Sequence, residues 1–293
     1  MPDTPRPVFR FAPSPNGELH LGHALSALVG WEAARAVGGR FLLRIEDIDT
    51  GRARPEFVAG IFRDLRWLGL DWEEPVLVQS TRFAAYAEAA RRLEAMGLLY
   101  PCFATRAEIE AAAAGGGRDP DGAPLYPGLW KGRPTAEMAL RKAAGEPFAL
   151  RIDMEKAMAA ANARLAGQPL TFTELNEDGS SQIIPAEPAL WGDAVILRKD
   201  VPASYHLAVV VDDAWQGVSH VTRGRDLYAA THLHRLLQVL LDLPEPLYRH
   251  HRLITDADGR KLAKSARDAG LRSLREAGAT PADVRRLVGL SQS

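Results

Sequence analysis

A single stretch near the N-terminus, residues 10–23, limits what this chain can fold into more than any other part of it. Residues 8–12, apolar apart from Arg10, predict a short β-strand, and residues 22–37 have the apolar spacing of a helix. Pro13 and Pro15 lie between the two and rule out a regular ladder or helix there. The sequence therefore predicts a strand, an irregular loop and a helix in direct succession.

The loop brings two histidines, His20 and His23, to the start of this helix. A helix N-terminus offers free N–H groups and the positive end of the helix dipole, which suits a phosphate. Gly22 lets the backbone approach a ligand closely. We therefore predict a phosphate site here; the alternative is that the histidines are incidental to a structural turn.

Residues 40–46 form a second apolar segment, which ends at Glu46. Strand, helix and strand in succession make a βαβ unit, which indicates a parallel sheet. No Gly-x-Gly-x-x-Gly follows the first strand, so a dinucleotide fold of the dehydrogenase type is not indicated. Residues 55–68 and 82–96 are helical by their apolar period.

The character of the sequence changes near residue 100. Residues 111–128 are rich in glycine and proline and predict loops, and residues 133–144 predict a helix. Asp178-Gly179 is a hairpin turn signal. Strands are predicted at residues 148–152, 170–173, 181–185 and 194–198. We interpret residues 100–200 as an insertion that splits the sheet domain.

The α/β pattern resumes at Ser204. Residues 205–211 are a run of strand type that is apolar after its first two residues, as in a strand buried on both faces. Further strands are predicted at residues 220–222 and 249–254, with a helix at 229–241 and two small helices in the tail.

Composition bounds the class of protein and its partners. The 293 residues suffice for about two domains, and the net charge of −1 means that any nucleic acid must meet a local basic surface. The only cysteine, Cys102, excludes a disulfide within the chain and a Cys-based zinc cluster. Because the chain has no signal-peptide core and no run of about eighteen apolar residues, we expect a cytoplasmic protein without membrane contact, and a monomer.

Two motifs carry a family resemblance. Arg-Phe-Ala-Pro-Ser-Pro at residues 10–15, followed by His20-Leu-Gly-His23, resembles the HIGH motif region of class I aminoacyl-tRNA synthetases, in the glutamyl and glutaminyl branch. Lys261-Leu-Ala-Lys264-Ser resembles the second class I motif, KMSKS, although such a basic loop taken alone is more often a solvated turn. Leu in place of Met conserves volume, whereas Ala in place of Ser loses a hydroxyl.

The resemblance implies an α/β fold with three parts. The first is a Rossmann-like catalytic domain at residues 1–99 and 201–265, a parallel sheet with helices on both faces. It is interrupted by an α+β, acceptor-binding-like insertion at residues 100–200. A short helical tail follows at residues 266–293.

The resemblance also implies the chemistry. In class I synthetases the carboxylate of the amino acid attacks the α-phosphate of ATP, and ATP enters with Mg²⁺. This step needs no general base. The enzyme instead holds the reactants in line and stabilises charge on the phosphates. His20, His23 and Lys264 suit this work by position and charge, and Lys261 is a weaker candidate. Asp226 is a candidate contact of the ribose or the adenine. The candidate ATP-binding residues are His20, Gly22, His23, Asp226, Lys261 and Lys264.

The family's glutamate pocket maps onto residues that are all present in this chain. They are Arg10, Ala12, Ser14, Glu46, Tyr205 and Arg223. The guanidinium groups of Arg10 and Arg223 can match the carboxylates of L-glutamate, and Glu46, at the end of a parallel strand, suits its ammonium group. The alternatives are that Arg10 and Glu46 simply pair across neighbouring strands, and that Tyr205 is a packing residue.

A zinc site is not expected. Cys102-Phe-Ala104 lies where related synthetases often carry Cys-x-Cys, but the second position is alanine and no other cysteine exists. Cys102 is therefore predicted to be a core residue. The spacing of the histidines does not indicate a metal site either.

The chain resembles the truncated paralogues of this branch, which attach glutamate to queuosine in the anticodon of tRNA(Asp). After Ser265 only 28 residues follow, too few for an anticodon-binding domain. Residues 249–286 hold ten Lys or Arg against five Asp or Glu, which fits a tRNA-backbone surface or, equally, solvated helices. The alternatives are an enzyme that charges the 3′ end of tRNA(Glu) or tRNA(Gln), and a non-catalytic paralogue that binds tRNA or adenylate.

Overall fold

The computed structural model describes residues 5–254 and 270–290. The strands of this part of the chain are β1 Val8–Phe11, β2 Arg40–Ile45, β3 Glu73–Val78, β4 Leu99–Cys102, β5 Ala149–Ile152, β6 Thr171–Leu175, β7 Ser181–Pro185, β8 Val195–Leu197, β9 His220–Gly224 and β10 Leu247–His251. The α-helices are α1 Leu21–Ala36, α2 Pro55–Trp67, α3 Phe83–Ala95, α4 Arg106–Ala112, α5 Thr135–Ala143, α6 Met154–Arg164, α7 Tyr205–Trp215, α8 Tyr228–Leu241, α9 Leu271–Glu276 and α10 Pro281–Leu287.

Seven strands form the main sheet in the order β3-β2-β1-β9-β10-β6-β7. All neighbours in it are parallel except β6 and β7, which form an antiparallel hairpin at one edge. From β1 the chain builds outward to β2 and β3 on one side, and later to β9 and β10 on the other. This reversal of direction beside β1 is where open parallel sheets bind ligands. The predicted sheet with helices on both faces is confirmed.

A smaller antiparallel sheet, in the order β4-β5-β8, is formed by strands between residues 99 and 197. The β6–β7 hairpin comes from the same part of the chain but adds to the main sheet, where β6 pairs with β10. Residues 100–200 therefore contribute to both sheets. The division of the chain at residues 99, 200 and 265 stays a prediction.

Successive side chains of the central strands point to opposite faces of the sheet, and helices cover both faces. Phe9 and Phe11 of β1 belong to one apolar core with α1, α2 and the two tail helices. Arg10 points to the opposite face, where it meets Asp213 of α7. The period of two in a strand thus sends one arginine into the layer that faces α7.

One predicted element is wrong. Residues 205–211, predicted as a strand, begin the helix α7. Ser204 caps its N-terminus by accepting a hydrogen bond from the Leu207 backbone N–H at 3.3 Å. The run is apolar because this helix is buried on several sides, with Val209 and Val210 among its buried residues. Tertiary packing therefore overrides the strand propensity of the valines.

Other differences concern ends and edges. The strand predicted at residues 249–254 runs instead from Leu247 to His251. Four elements were not predicted: β3, β4, α4 and α6. The strand β3 contains Pro75 and lies at the sheet edge, which is where proline is tolerated in a sheet. The remaining predicted helices and strands agree with the structure to within a few residues.

The two small tail helices predicted after residue 265 are present as α9 and α10, and they close back onto the N-terminal part of the sheet domain. Leu271 is fully buried, and its N–H donates to the Leu19 carbonyl at 2.7 Å. Arg285 of α10 pairs with Glu32 of α1. The tail is thus part of the core that supports the loop of residues 10–23.

Among the described residues, no helix combines the length and apolar character that crossing a membrane requires.

Candidate active site

A cleft of about 480 Å³ opens at the carboxyl ends of β1, β2, β9 and β10. The structure brings together every predicted site residue that it describes. These are Arg10, Ala12, Ser14, His20, Gly22, His23, Glu46, Tyr205, Arg223 and Asp226, all of which line the cleft. Lys261 and Lys264 lie outside the described residues.

The two histidines are held by the start of α1. His20 caps this helix: its Nδ1 accepts a hydrogen bond from the Gly22 N–H at 3.1 Å. The Nδ1 of His23 accepts in turn from the His20 backbone N–H at 3.2 Å. A neutral imidazole that accepts at Nδ1 carries its hydrogen on Nε2. The two ring centroids are 3.8 Å apart, with the ring planes tilted by 32°.

The charge of His23 differs from the prediction. Burial, with a smaller effect from His20, lowers the pKa of His23 to about 3. His23 is therefore neutral at physiological pH and offers an N–H donor, not the positive charge that the sequence suggested. A neutral donor still stabilises a phosphate oxygen, as backbone N–H groups do.

Gly22 is required by close packing. A Cβ atom added there would lie 2.9 Å from Cε1 of His20, inside van der Waals contact. The absence of a Cβ atom at Gly22 thus leaves room for the His20 ring, and the Gly22 N–H donates the hydrogen bond that this ring accepts.

Arg10 is buried and already paired. Its Nε donates to Oδ1 of Asp213 at 3.1 Å, and its second terminal nitrogen donates to Oδ2 at 3.3 Å. Glu46 is held by Arg44, whose NH2 group lies 3.0 Å from Oε1. The alternative of a direct Arg10–Glu46 pair is therefore wrong, since among the described residues each bonds a different partner.

These side chains form one buried network of two arginines and two carboxylates. Arg44 also donates to Asp213, at 2.7 Å, so Asp213 bridges Arg10 and Arg44. Burial raises the pKa of Asp213, but Arg10 and Arg44 outweigh burial and the net shift is downward. For Glu46 burial wins over Arg44 and Arg10, and its pKa is raised.

Sequence analysis missed Arg44 and Asp213 as contributors to the site. One signal was available for the first, because a charged residue inside an apolar strand of a parallel sheet needs a buried partner. The partner could not be identified, since Asp213 follows residues 205–211, which were predicted as a strand, whereas it belongs to the same helix.

Arg223 lies at the other end of the cleft, on β9. Its guanidinium group donates to His250 at 3.1 Å, to His234 at 3.3 Å and to Thr231 at 2.7 Å. A longer contact of 3.4 Å reaches the hydroxyl of Tyr205. Tyr205 lies in the cleft wall and also packs against the apolar core. Burial raises the pKa of its hydroxyl, so that it stays protonated.

Two further residues near Arg223 were not predicted as site residues. His250 is hydrogen-bonded to the carboxylate of Glu174, with Nδ1 and Oε2 2.8 Å apart. Glu174 comes from β6, in the segment predicted as an insertion. The two residues are 76 positions apart, so no local spacing could have revealed the pair.

The loop after β1 is tied to the end of β2. The Glu46 N–H donates to the Pro13 carbonyl at 3.0 Å, which places Ala12 and Ser14 beside Glu46 in the cleft wall. Asp226 lies in a single 3₁₀ turn after β9. Positions at the ends of neighbouring strands thus converge as predicted.

Cys102 is buried, as predicted for a core residue. Its Sγ donates to the hydroxyl of Tyr126 at 3.3 Å, and the same hydroxyl accepts from the Trp130 N–H at 2.8 Å. Ala104 is buried in the same small cluster. Within residues 5–254 and 270–290, no three His, Cys, Asp or Glu residues are grouped so as to hold a metal ion.

The described cations of residues 249–286 mostly serve packing. Arg272 pairs with Glu18 at 3.3 Å, and Arg275 approaches Asp64 at 3.5 Å. Arg252 donates to the Val288 carbonyl at 2.7 Å. These contacts hold the tail helices against the sheet domain.

Comparison with known proteins identifies the family. A family model described as tRNA synthetases class I (E and Q), catalytic domain, matches residues 8–290. The chain is 47% identical to a glutamyl-Q tRNA(Asp) synthetase of Rhodobacter capsulatus, over 97% of this chain and 100% of that protein. It is 42% identical to one of Symbiobacterium thermophilum, over 94% of this chain and 83% of that protein.

A solved glutamate-tRNA synthetase from Elizabethkingia anophelis superposes with a TM-score of 0.71 and 26% identity. The match covers 89% of this chain but 53% of that one, so the chain spans about half the length of the solved synthetase. Family match, relatives and fold agree with the residues that line the cleft. The chain therefore belongs to the class I tRNA synthetases of the E and Q type and corresponds to their catalytic domain.

Proposed function

We propose that this protein activates L-glutamate with ATP and transfers the glutamate to queuosine in the anticodon of tRNA(Asp). The observation that carries the proposal is the similarity, over whole or nearly whole length, to relatives named glutamyl-Q tRNA(Asp) synthetase. The cleft supports it independently, because its buried arginines and carboxylate match the charges of glutamate. The class I family uses ATP as a substrate, and we propose that it enters as the Mg²⁺ complex.

The glutamate end of the cleft is built around Arg10, Arg223 and Glu46. In our proposal the two guanidinium groups bind the carboxylates, and Glu46 binds the ammonium group. Arg10 can offer only the N–H groups that Asp213 does not occupy, since Asp213 takes its Nε and one terminal nitrogen. The site thus recognises charge with side chains that the fold has already oriented.

Activation then needs positioning and charge stabilisation, not proton transfer. A carboxylate oxygen of glutamate attacks the α-phosphorus of ATP, the bond to the bridging oxygen breaks, and pyrophosphate leaves. In our proposal His20, His23 and the N-terminus of α1 contact the phosphate oxygens, and the Nε2–H group of His23 is one of the donors. Lys264, with Lys261 as a weaker candidate, would supply the positive charge that His23 lacks.

The second step is acyl transfer. A hydroxyl of the queuosine diol attacks the carbonyl carbon of glutamyl adenylate, AMP leaves, and the hydroxyl proton is lost. An unstacked base of an anticodon loop can enter a cleft that a paired base cannot.

The proposal is tested with an anticodon stem-loop of tRNA(Asp) that carries queuosine and has no acceptor stem. Labelled glutamate should appear on this stem-loop, and the matched stem-loop with guanosine at the same position should stay unlabelled. Removal of the acceptor stem eliminates the competing 3′ end physically. Glutamate found only on full-length tRNA, and lost when the terminal adenosine is removed, would replace the proposal with 3′-end charging of tRNA(Glu) or tRNA(Gln).

Activation is tested separately by pyrophosphate exchange. We expect glutamate-dependent exchange with ATP and Mg²⁺ in the absence of any tRNA. The reason is that the described residues that we propose to bind glutamate and phosphate line one cleft. If exchange is absent both with and without tRNA, the protein is the non-catalytic paralogue instead.

A further inference from the structure

We propose that Glu174 and His250 are positioning residues, and that the carboxylate of Glu174 fixes the imidazole of His250 so that it orients Arg223 toward the substrate. The inference deepens the proposed function and rests on it, since Arg223 is assigned to a glutamate carboxylate there. It gives the β6–β7 hairpin a role in substrate recognition, in addition to extending the sheet.

The first contact joins the hairpin to the central sheet. β6 runs parallel to β10, and Glu174 lies opposite Tyr248 in this pairing. Its carboxylate accepts two hydrogen bonds from His250, one from the backbone N–H at 2.8 Å and one from Nδ1 at 2.8 Å to the other oxygen. An ionised carboxylate only accepts, so Nδ1 carries the hydrogen and Nε2 keeps its lone pair.

The second contact uses that lone pair. The Nε of Arg223 donates to Nε2 of His250 at 3.1 Å, which is possible only for the tautomer that Glu174 selects. Thr231 accepts from another nitrogen of the same guanidinium group at 2.7 Å. With Nε and one terminal nitrogen fixed, the plane of the guanidinium group is set. Its other terminal nitrogen contacts His234 at 3.3 Å and the hydroxyl of Tyr205, a residue of the cleft wall, at 3.4 Å.

Burial makes this arrangement consequential. Arg223 is 4% exposed, so water cannot easily replace a lost acceptor. If the hydrogen of His250 moved to Nε2, two N–H donors would face each other and the guanidinium group would have to rotate away. An unmatched donor beside a buried charge is costly, so the orientation of Arg223 depends on the tautomer.

A matched control, Glu245, lies between α8 and β10 and contacts the same hairpin. Glu245 also holds β6: it accepts from the Thr173 backbone N–H at 3.0 Å and pairs with Arg235 at 3.1 Å. It does not line the cleft. Glu245→Gln should therefore weaken the docking of the hairpin without disturbing Arg223, which separates positioning from general stability.

The experiment compares Glu174→Gln, Glu245→Gln, Arg223→Lys and the double variant Glu174→Gln/Arg223→Lys. Glu174→Gln keeps the size of the side chain but places an amide N–H opposite Nδ1, which favours the other tautomer. In pyrophosphate exchange we expect about a tenfold rise in the glutamate KM and an unchanged ATP KM. Glu245→Gln should leave both KM values unchanged, whatever its melting temperature.

The double variant shows whether Glu174 acts through Arg223. If it does, Glu174→Gln should have little further effect on glutamate KM in the Arg223→Lys background, because the group to be positioned has already been replaced. Fully additive effects, or an equal rise in the KM of glutamate and of ATP, would overturn the inference.

A direct measurement is independent of activity. Nitrogen-15 NMR of the histidine rings should show His250 of the unaltered protein with hydrogen on Nδ1, and should show hydrogen on Nε2 in Glu174→Gln. An unaltered protein with hydrogen on Nε2 refutes the inference even if exchange is normal. Absence of exchange in the unaltered protein, with the expected tautomer, refutes the proposed function instead.

Discussion

The replacement Asp213→Asn tests the buried charge network most directly. Asp213 accepts from Arg10 at 3.1 and 3.3 Å and from Arg44 at 2.7 Å, with 9% of its side chain exposed. Asn has the same shape but no charge. It can also turn only one acceptor oxygen toward the two guanidinium groups, so its NH₂ group must face a donor.

The magnitude follows from the charges. Arg10 and Arg44 are balanced by Asp213 and Glu46, and the substitution leaves one uncompensated positive charge in the interior. Removing one partner of a buried ion pair costs about 3–5 kcal/mol of unfolding free energy. Because Arg10 would lose the group that orients it, we also expect a rise of about tenfold in the glutamate KM.

The assay is urea unfolding followed by pyrophosphate exchange. Asp200→Asn is the matched control, because Arg198 contacts both carboxylate oxygens of Asp200 in the same way, at 3.3 and 3.1 Å, but the Asp200 side chain is 67% exposed. Exposed pairs contribute about 0–1 kcal/mol, so this control should change little.

The dependence on pH provides a second check. The folded protein lowers the pKa of Asp213, so the stabilisation that it contributes is present above its unfolded pKa of about 3.9 and is lost as pH falls through the lower folded value. The difference in unfolding free energy between the unaltered protein and Asp213→Asn should thus be constant near neutrality and shrink below about pH 4. A loss no greater than that of Asp200→Asn, or a difference that does not shrink in acid, would refute the reasoning.

Three further predictions concern Gly22 of the cleft, Lys264 of the second motif and the single cysteine. Gly22→Ala should displace the His20 ring, which lies 2.9 Å from the added Cβ, and should lower kcat of exchange about tenfold while the protein stays folded; unchanged kcat would mean that the ring is not required there. Lys264→Ala should lower kcat more than it raises the glutamate KM, because its charge acts where phosphate charge develops, and the reverse pattern would remove Lys264 from that role. Elemental analysis of the purified protein should show no stoichiometric zinc, and chelators should not unfold it, because Cys102 is hydrogen-bonded to Tyr126. One zinc per chain would contradict this.

Burial explains the predictions from sequence that were wrong. The valines of residues 205–211 have strand propensity, but they lie in a helix because surrounding elements cover several of its sides. Propensity describes a residue on its own, whereas this segment is decided by what packs against it. The wrong prediction also affected the description of the site, because this helix carries both Tyr205 and Asp213.

The charge state of His23 could not be predicted either. Its ordinary pKa lies near 6.5, and only burial beside His20 lowers it to about 3. The sequence identified the position of the ring but not the dielectric around it. The role changes accordingly, from a cation to a neutral donor.

Some features follow from sequence alone. Pro13, Pro15 and Gly22 determine a strand, a turn and a helix start, because the backbone preferences of proline and glycine act locally. Apolar segments separated by a helix determine a parallel sheet, and the ends of its strands then determine where Ala12, Glu46 and Arg223 converge. These properties depend on neighbours along the chain or on general rules of sheet topology.

Only the tertiary structure decided which charges meet. Arg10 pairs with Asp213, 203 positions away, and Arg223 bonds to His250, which Glu174 holds from 76 positions away. Such pairs carry no pattern along the chain, because a buried charge needs a partner close in space and the fold alone determines which residue that is. The residues that are proposed to bind the substrate could therefore be predicted from the sequence, whereas the residues that orient them could not.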